Sequence, residues 1–509
     1  MVSDSVVIRF LNVIAGYLLK VFYNSSTYRV LKSIASLFRR CFGSSFTINI
    51  LKREGTLLKV WDKSKTYKNF SRLLHSPTKF MRIWFEKRQH VFQNSHVHKL
   101  IIIAADNLHV LTSLALFATF IIPHSLWYNI FATMMAFALL LLLFIKTIIN
   151  KNISLNFKYT SLYLAIFVLS VLLAQIFSIF PGLSLRFLVF HLTCLIFVFV
   201  LVNSITSREQ LTTVIESILM GVAFVGLYAI FQRIKGVPVN AAQTDLSLNA
   251  GMPGRVYSTM ENPNNLAEIL IMLIPFYVAV FLSSRTFIKK FIIFGMALPP
   301  LAALALTYSR SSWIGFAVAF LVFVILTNWR LVPLFILAGV AMIPVLPQTV
   351  YNRILTIFDT RDSSVGYRFL IYKTIGPMIE DYWFTGVGLG SDTFMKVVQN
   401  YPLHTKVIPP HTHNLFIQVW IETGLIGILS FLGFIVSTIK KGVKRIALEN
   451  DKCVKYNIIA GISSLAGILT VGVAEYVWYY PRVMIIFWVV TGLLLAALNL
   501  QKNDGTVNE

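Results

Sequence analysis

The sequence predicts an all-α polytopic membrane protein of about 12 transmembrane helices with one large extracytoplasmic loop. Three observations predict it. Of 509 residues, 56% are hydrophobic and only 13% charged, about half the charged share of an ordinary soluble chain. Apolar runs of roughly 18 residues or more, long enough to cross a bilayer, recur along the chain. The basic connectors "KTIINKNISLNFK", "NSITSRE", "SSRTFIKK", "TNWR" and "KKGVKR" fall on one side of these runs. Lysine and arginine mark the cytoplasmic side, so both termini are expected there.

Residues 1–107 read as a basic cytoplasmic extension. The first 100 residues hold 18 Lys/Arg against 4 Asp/Glu, a balance suited to an anionic leaflet. The opening "MVSDSVVIRFLNVIAGYLLKVFY" has apolar residues at three- and four-residue intervals. Arg9, Asn12 and Lys20 interrupt it and no small-residue cleavage site follows, so it reads as a surface helix, not a leader. Nothing resembles a nucleic-acid-binding fold, so nucleic acid is not an expected partner.

Residues 108–346 carry the first nine spans, near 108–122, 127–149, 159–179, 185–203, 212–231, 264–282, 291–307, 311–327 and 331–346. Residues 347–412 are the large loop, rich in aromatics and glycine in "EDYWFTGVGLGSDTF"; loops this long are usually functional or disordered. Residues 413–500 hold spans near 413–438, 456–477 and 483–499, and 501–509 form a polar cytoplasmic tail. The three cysteines, Cys41, Cys194 and Cys453, have no metal-type spacing, and no disulfide framework is implied.

Polar residues inside a span are costly and mark function. In "PPHTHNLFIQVWIETGLIG", Pro409 and Pro410 stop any preceding helix, so a helix is expected from about Thr412. Asn414, Gln418 and Glu422 then recur every four residues as one stripe, with Glu422 roughly 12 Å down at ~1.5 Å per residue. A structural clamp between helices is the other reading of that stripe. His413 is the best candidate base, since imidazole exchanges protons near neutral pH. His404 and His411 lie nearby, but His411 and His413 are two apart and no carboxylate completes a set, so no metal is expected.

Arg255, Arg310 and Arg368 each sit in a Gly-, Pro-, Ser- or Asn-rich turn on the outer side. The planar guanidinium fork suits phosphate oxygens; a snorkelling arginine is the alternative for any one alone. "ENPNNLAE" reads as a helix start, with Asn262 capping and Pro263 in the first turn. A helix N-terminus there also favours an anion.

These motifs resemble the O-antigen ligase and O-antigen polymerase superfamily. Its signature is His, then Asn, Ser or Gln, nine residues, Gly, two residues, and Gly, Thr or Tyr. It is met by His413, Asn414, Leu415 to Thr423, Gly424, Leu425–Ile426 and Gly427. "RVYSTMENPNNLAE", "TYSRSSWIGF" and "GYRFLIYKTIGPMIEDYWFTGVGLGSDTF" look like further family segments, so the resemblance covers about 250–430. Glu261 departs from a common glycine and Thr412 from a smaller residue. Residues 1–107 are not covered.

The resemblance implies a GT-C-like fold and a glycosyltransferase of the bacterial cytoplasmic (inner) membrane with an extracytoplasmic site. The donor would be an undecaprenyl-diphosphate-linked glycan, and the acceptor a hydroxyl on a glycan, lipid or protein. No metal, nucleotide sugar or other cofactor is implied. Carried over, catalytic His413 would be the general base or the group that positions the acceptor, and Arg255 and Arg368, with Arg310 a further candidate, would hold the diphosphate; Asn414 and Glu422 of the polar stripe are read as substrate-binding residues. A surface-polysaccharide polymerase or a protein O-oligosaccharyltransferase fits the same motifs. A polysaccharide or lipid transporter is the rival of another class, but its site would lie near the bilayer midplane.

Overall fold

The computed structural model describes residues 64–500 except 93–94, 151–152, 154, 158, 241–251, 346 and 356–362; before residue 64 it describes only Asn24, Arg29, Ser33, Ser36 and Trp61. The expected surface helix at the start and the tail 501–509 lie outside the described residues. Among those described there is no strand. The helices are α1 (Lys65–Lys87), α2 (His96–Asp106), α3 (Leu108–Ile121), α4 (Asn129–Ile149), α5 (Leu162–Ile176), α6 (Pro181–Ser204) and α7 (Arg208–Lys235). They continue as α8 (Pro263–Ser283), α9 (Phe287–Leu306), α10 (Arg310–Asn328), α11 (Val332–Met342), α12 (Gln348–Leu355), α13 (Ser363–Tyr382) and α14 (Gly390–Val398). The last three are α15 (Leu415–Leu448), α16 (Lys452–Val471) and α17 (Pro481–Asn499).

Local chemistry sets their starts. Ser207 caps α7 through a reciprocal box with Gln210, and Asn262, Asn414 and Asp451 cap α8, α15 and α16 by accepting backbone N–H groups. Each satisfies donors that a helix otherwise leaves orphaned. Pro181, Pro263 and Pro481 sit in the first turns of α6, α8 and α17, where no N–H is needed. α15 begins at Leu415, three residues after the expected start, because Asn414 is its cap.

Among the described residues nine helices are long and apolar enough to cross a membrane, ten with the bent pair α2–α3, which turns through 74°. That is fewer than the twelve expected from sequence. α5, with 15 residues, falls short of a full crossing. The apolar stretch Arg310–Ala341 holds both α10 and α11, which the sequence divides into two spans. It is not one straight rod. The rings of Phe320 and Phe335 stack with centroids 6.3 Å apart, whereas 15 residues of straight helix would part them by roughly 22 Å. The chain therefore folds back at Trp329–Leu331. The guanidinium Nε of Arg353, in α12, donates to the carbonyl of Tyr308, just before α10, at 3.3 Å.

α17 is the most enclosed span, with 89% of its apolar window buried, and α8 follows at 78%. α17 packs on α6 and α16, while α8 packs on α9 and α16 and α10 packs on α16. The folded-back α10–α11 arm is the least enclosed, with 6% of its apolar window buried, though Ser312, Gly315, Ala319 and Phe323 of α10 are buried. α1 packs on α4, and the Arg82 guanidinium donates to the Thr147 carbonyl. Phe80, Met81, Ile83 and Trp84 remain exposed on α1.

Between α11 and α15 the chain builds a small layer with its own core. Ile371, Ile375, Met378, Val387, Phe394 and Val398 bury one another together with Ile421 of α15. A break in α15 docks this layer. Gly424 has φ 71° and ψ −175°, outside helical geometry. The break frees the carbonyls of Ile421 and Glu422, which accept instead from Val387 N–H at 2.8 Å and Gly388 N–H at 3.3 Å. The Phe384 carbonyl in turn accepts from Leu425 N–H at 3.2 Å. A Cβ on Gly424 would lie 2.0 Å from that carbonyl oxygen, so no other residue fits.

Candidate active site

The site forms where four connections meet at one end of the bundle: the segment before α8, the α9–α10 turn, the chain entering α15, and the α16–α17 turn. Three residues other than glycine adopt positive φ among the described residues, and all lie in these connections: Ser258 at 54°, Tyr308 at 51° and His413 at 51°. Such backbone is costly for a side-chain-bearing residue and collects at working sites. His413 is held by its neighbour: its N–H donates to His411 Nδ1 at 3.1 Å.

His413 Nδ1 lies 3.1 Å from Glu475 Oε2. Arg368 Nη2 donates to the other oxygen, Glu475 Oε1, at 2.7 Å, and Arg368 Nε donates to the Ala474 carbonyl at 2.8 Å. Burial alone would push the Glu475 carboxyl up; the His413 hydrogen bond and the Arg368 guanidinium outweigh it and hold it down to about 2. An ionised carboxylate only accepts. His413 therefore donates from Nδ1, and in the neutral ring Nε2 is the acceptor. The ring is boxed by Tyr367, edge-on at 6.0 Å, and by His411, at 4.2 Å between centroids. Burial, and then the nearby His413, pull the His411 imidazole down to about 3, so it stays neutral and can accept at Nδ1.

Arg255 is 9% exposed. It donates from Nε to the Thr307 carbonyl at 2.7 Å and from Nη2 to Asn264 Oδ1 at 2.5 Å. Burial, then the field of Arg353, lower its guanidinium to about 9, with Arg310 acting the same way and Glu475 opposing. It remains cationic at neutral pH. Arg255, Arg310, Arg353 and Glu475 therefore share one electrostatic neighbourhood, and positive charge dominates it.

The structure thus brings His413 and Arg368 onto the α16–α17 turn at Glu475, with Arg255 within its field and Arg310 near Arg255. Asn414 is committed to structure. Its Oδ1 caps α15, and its Nδ2 donates to the Val473 carbonyl at 2.8 Å. The polar stripe below it is a clamp: Thr412 N–H donates to Gln418 Oε1 at 2.9 Å, and Gln418 Nε2 donates to Glu422 Oε1 at 2.9 Å. Tyr476 OH also donates to Glu422 Oε1, at 3.1 Å, and Glu422 is 2% exposed.

Sequence reading missed Glu475 and gave Arg353 no role. Glu475 was absorbed into the span expected at 456–477, whereas α16 ends at Val471 and a turn follows. The available signal was a carboxylate in an apolar run, which nearly always faces the protein interior or a cavity.

Residues 294–432 match the family described as O-antigen ligase. A protein of Rickettsia felis named "Putative polysaccharide ligase" is 21% identical over 207 residues, 38% of this chain and 48% of that protein. A Rickettsia conorii protein of the same description is 23% identical over 165 residues, 30% of this chain and 40% of its own length. The chain thus spans about half or less of the curated relatives it matches. The matched family segment contains Arg310, Arg353, Arg368, His413 and Gly424 but neither Arg255 nor Glu475. The resemblance read from His413, Asn414, Gly424 and Gly427 is borne out: residues 294–432, within a chain of many membrane-length helices, are similar to the O-antigen ligase family.

Proposed function

We propose that the chain is a membrane glycosyltransferase that moves a glycan from undecaprenyl diphosphate to an acceptor hydroxyl outside the cytoplasmic membrane, as an O-antigen ligase does, without a metal. The observation that carries this reading is the Glu475 carboxylate shared by His413 and Arg368, beside the buried Arg255.

His413 Nε2 takes the proton from the acceptor hydroxyl, a step typically worth ~10²–10⁴-fold. The acceptor oxygen bonds to the anomeric carbon as the bond from that carbon to the diphosphate oxygen breaks. The electron pair leaves with undecaprenyl diphosphate, and attack from the opposite face inverts the anomeric centre. Arg255, Arg310 and Arg353 meet the leaving charge, which is commonly the largest catalytic contribution. Glu475 stays ionised throughout and stabilises the imidazolium. Arg368 fixes Glu475 and adds its charge to the diphosphate side. The names of the two relatives favour a ligase over a polymerase.

The test is transfer of lipid-linked glycan in membranes containing His413→Ala at normal expression. Loss of transfer with accumulation of the lipid-linked glycan is expected; unimpaired transfer would remove the base.

A further inference from the structure

Arg482, in the first turn of α17, is 7% exposed. Its Nη1 donates to the Thr259 carbonyl at 3.3 Å and lies 3.7 Å from Met260 Sδ. Its plane rests on Trp127, 4.4 Å from the ring centroid. Nε and Nη2 are buried with no hydrogen-bond partner. Those two N–H groups form the parallel edge of the fork, the edge that grips two oxygens of a carboxylate or phosphate. An unpaired buried guanidinium edge is costly.

Arg482 lines a cleft of about 90 Å³ shared with His124, Trp127, Glu261, Asn265 and Tyr480. This is room for several waters, or for one charged substituent. Glu261 faces the cleft but is turned to His124, whose Nε2 is 3.8 Å from Glu261 Oε2. The cleft adjoins the reaction centre: Tyr480 packs on Tyr479 at 4.9 Å, and Tyr479 packs on His411 at 4.5 Å.

We infer that this cleft is an anion subsite in which the free edge of Arg482 holds a carboxylate or phosphate substituent on a sugar. That the sugar belongs to the transferred glycan or its acceptor rests on the proposed transferase activity; the subsite itself does not. It selects acidic glycans by a bidentate contact that a neutral sugar cannot match.

The test is thermal unfolding of the full chain in lipid nanodiscs with glucuronate, glucose 6-phosphate, glucose or inorganic phosphate. At least one acidic sugar should raise the unfolding temperature while glucose does not. Arg482→Lys, which keeps charge but loses the fork, should weaken that response at least about tenfold. His413→Ala should leave it intact, so loss of transfer in that variant and loss of the subsite are separable. Glu261→Gln should fold normally and tighten acid binding by removing repulsion. An equal response to glucose, an unchanged response in Arg482→Lys, or no response to either acid would overturn the subsite. Inorganic phosphate acting as well as glucose 6-phosphate would overturn the role of the sugar. Unfolding of Glu261→Gln would make Glu261 the arginine's own partner and overturn it too.

Discussion

His413 and Glu475 stand 62 residues apart in sequence, yet His413 Nδ1 and Glu475 Oε2 are 3.1 Å apart. The contact joins the connection entering α15 to the turn between α16 and α17, and it decides which ring nitrogen is left to act. Glu475→Gln should leave the fold intact and lower transfer by ~10²–10⁴-fold, because the imidazolium loses its partner and the tautomer is no longer fixed. The double variant with His413→Ala should be hardly worse than His413→Ala alone. Additive losses in a membrane transfer assay would show that the two do not act together.

Arg255→Lys should raise the apparent KM for the lipid-linked donor about 10- to 100-fold, since an ammonium cannot reach Thr307 and Asn264 and still present a planar edge. Arg353→Gln should act in the same direction. Donor titration in membranes measures both.

Acid should destabilise the site end of the bundle. The buried His411 resists protonation down to about 3, against an ordinary 6.5. Below 6.5 the unfolded chain takes up a proton that the native site refuses, so stability falls as pH drops from 6.5 toward 3. Glu475, held down to about 2 against an ordinary 4.5, contributes stability above 4.5 that is lost as pH falls from there toward 2. His411→Asn should therefore remove the loss between pH 6.5 and 4.5 and leave the lower limb. Unfolding curves across pH in nanodiscs separate the two limbs.

Gly424→Ala should destabilise the layer of α13 and α14 by about 2 kcal/mol or more, because φ 71° is strained for alanine and the new methyl meets the Phe384 carbonyl. Faster proteolysis between residues 383 and 412, before loss of the bundle, is the expected sign.

Single cysteines at Arg330 and Gln348 should label from opposite faces of the membrane, because the chain reverses between α10 and α11. Labelling of both by one impermeant reagent would contradict the reversal.

Much of this was legible in the residues. The apolar runs gave the helical class, and Asn262 with Pro263 gave the start of α8. His413 and the arginines stood out because bilayer-facing sequence tolerates few such groups. Glu475 was hidden because hydropathy averages over a window, and one carboxylate in "LTVGVAEYVWYY" hardly lowers it. Arg482 stands one residue before the last expected span, 483–499, where no local pattern marks it. The reversal at Trp329–Leu331 falls in the connector "TNWR" that divides the two expected spans, whereas α5, with 15 residues, is shorter than the span expected at 159–179. The signature singles out Gly424, but nothing local says why, because the need for its two freed carbonyls comes from another segment.

The fracture in α15 has a mechanical consequence. The stretch Leu415–Thr423, which follows His413 and the cap Asn414, is tied through the carbonyls of Ile421 and Glu422 to the N–H groups of Val387 and Gly388. A shift of the α13–α14 layer would therefore pull on the short helical piece that Asn414 caps, and through it on the connection that carries His413.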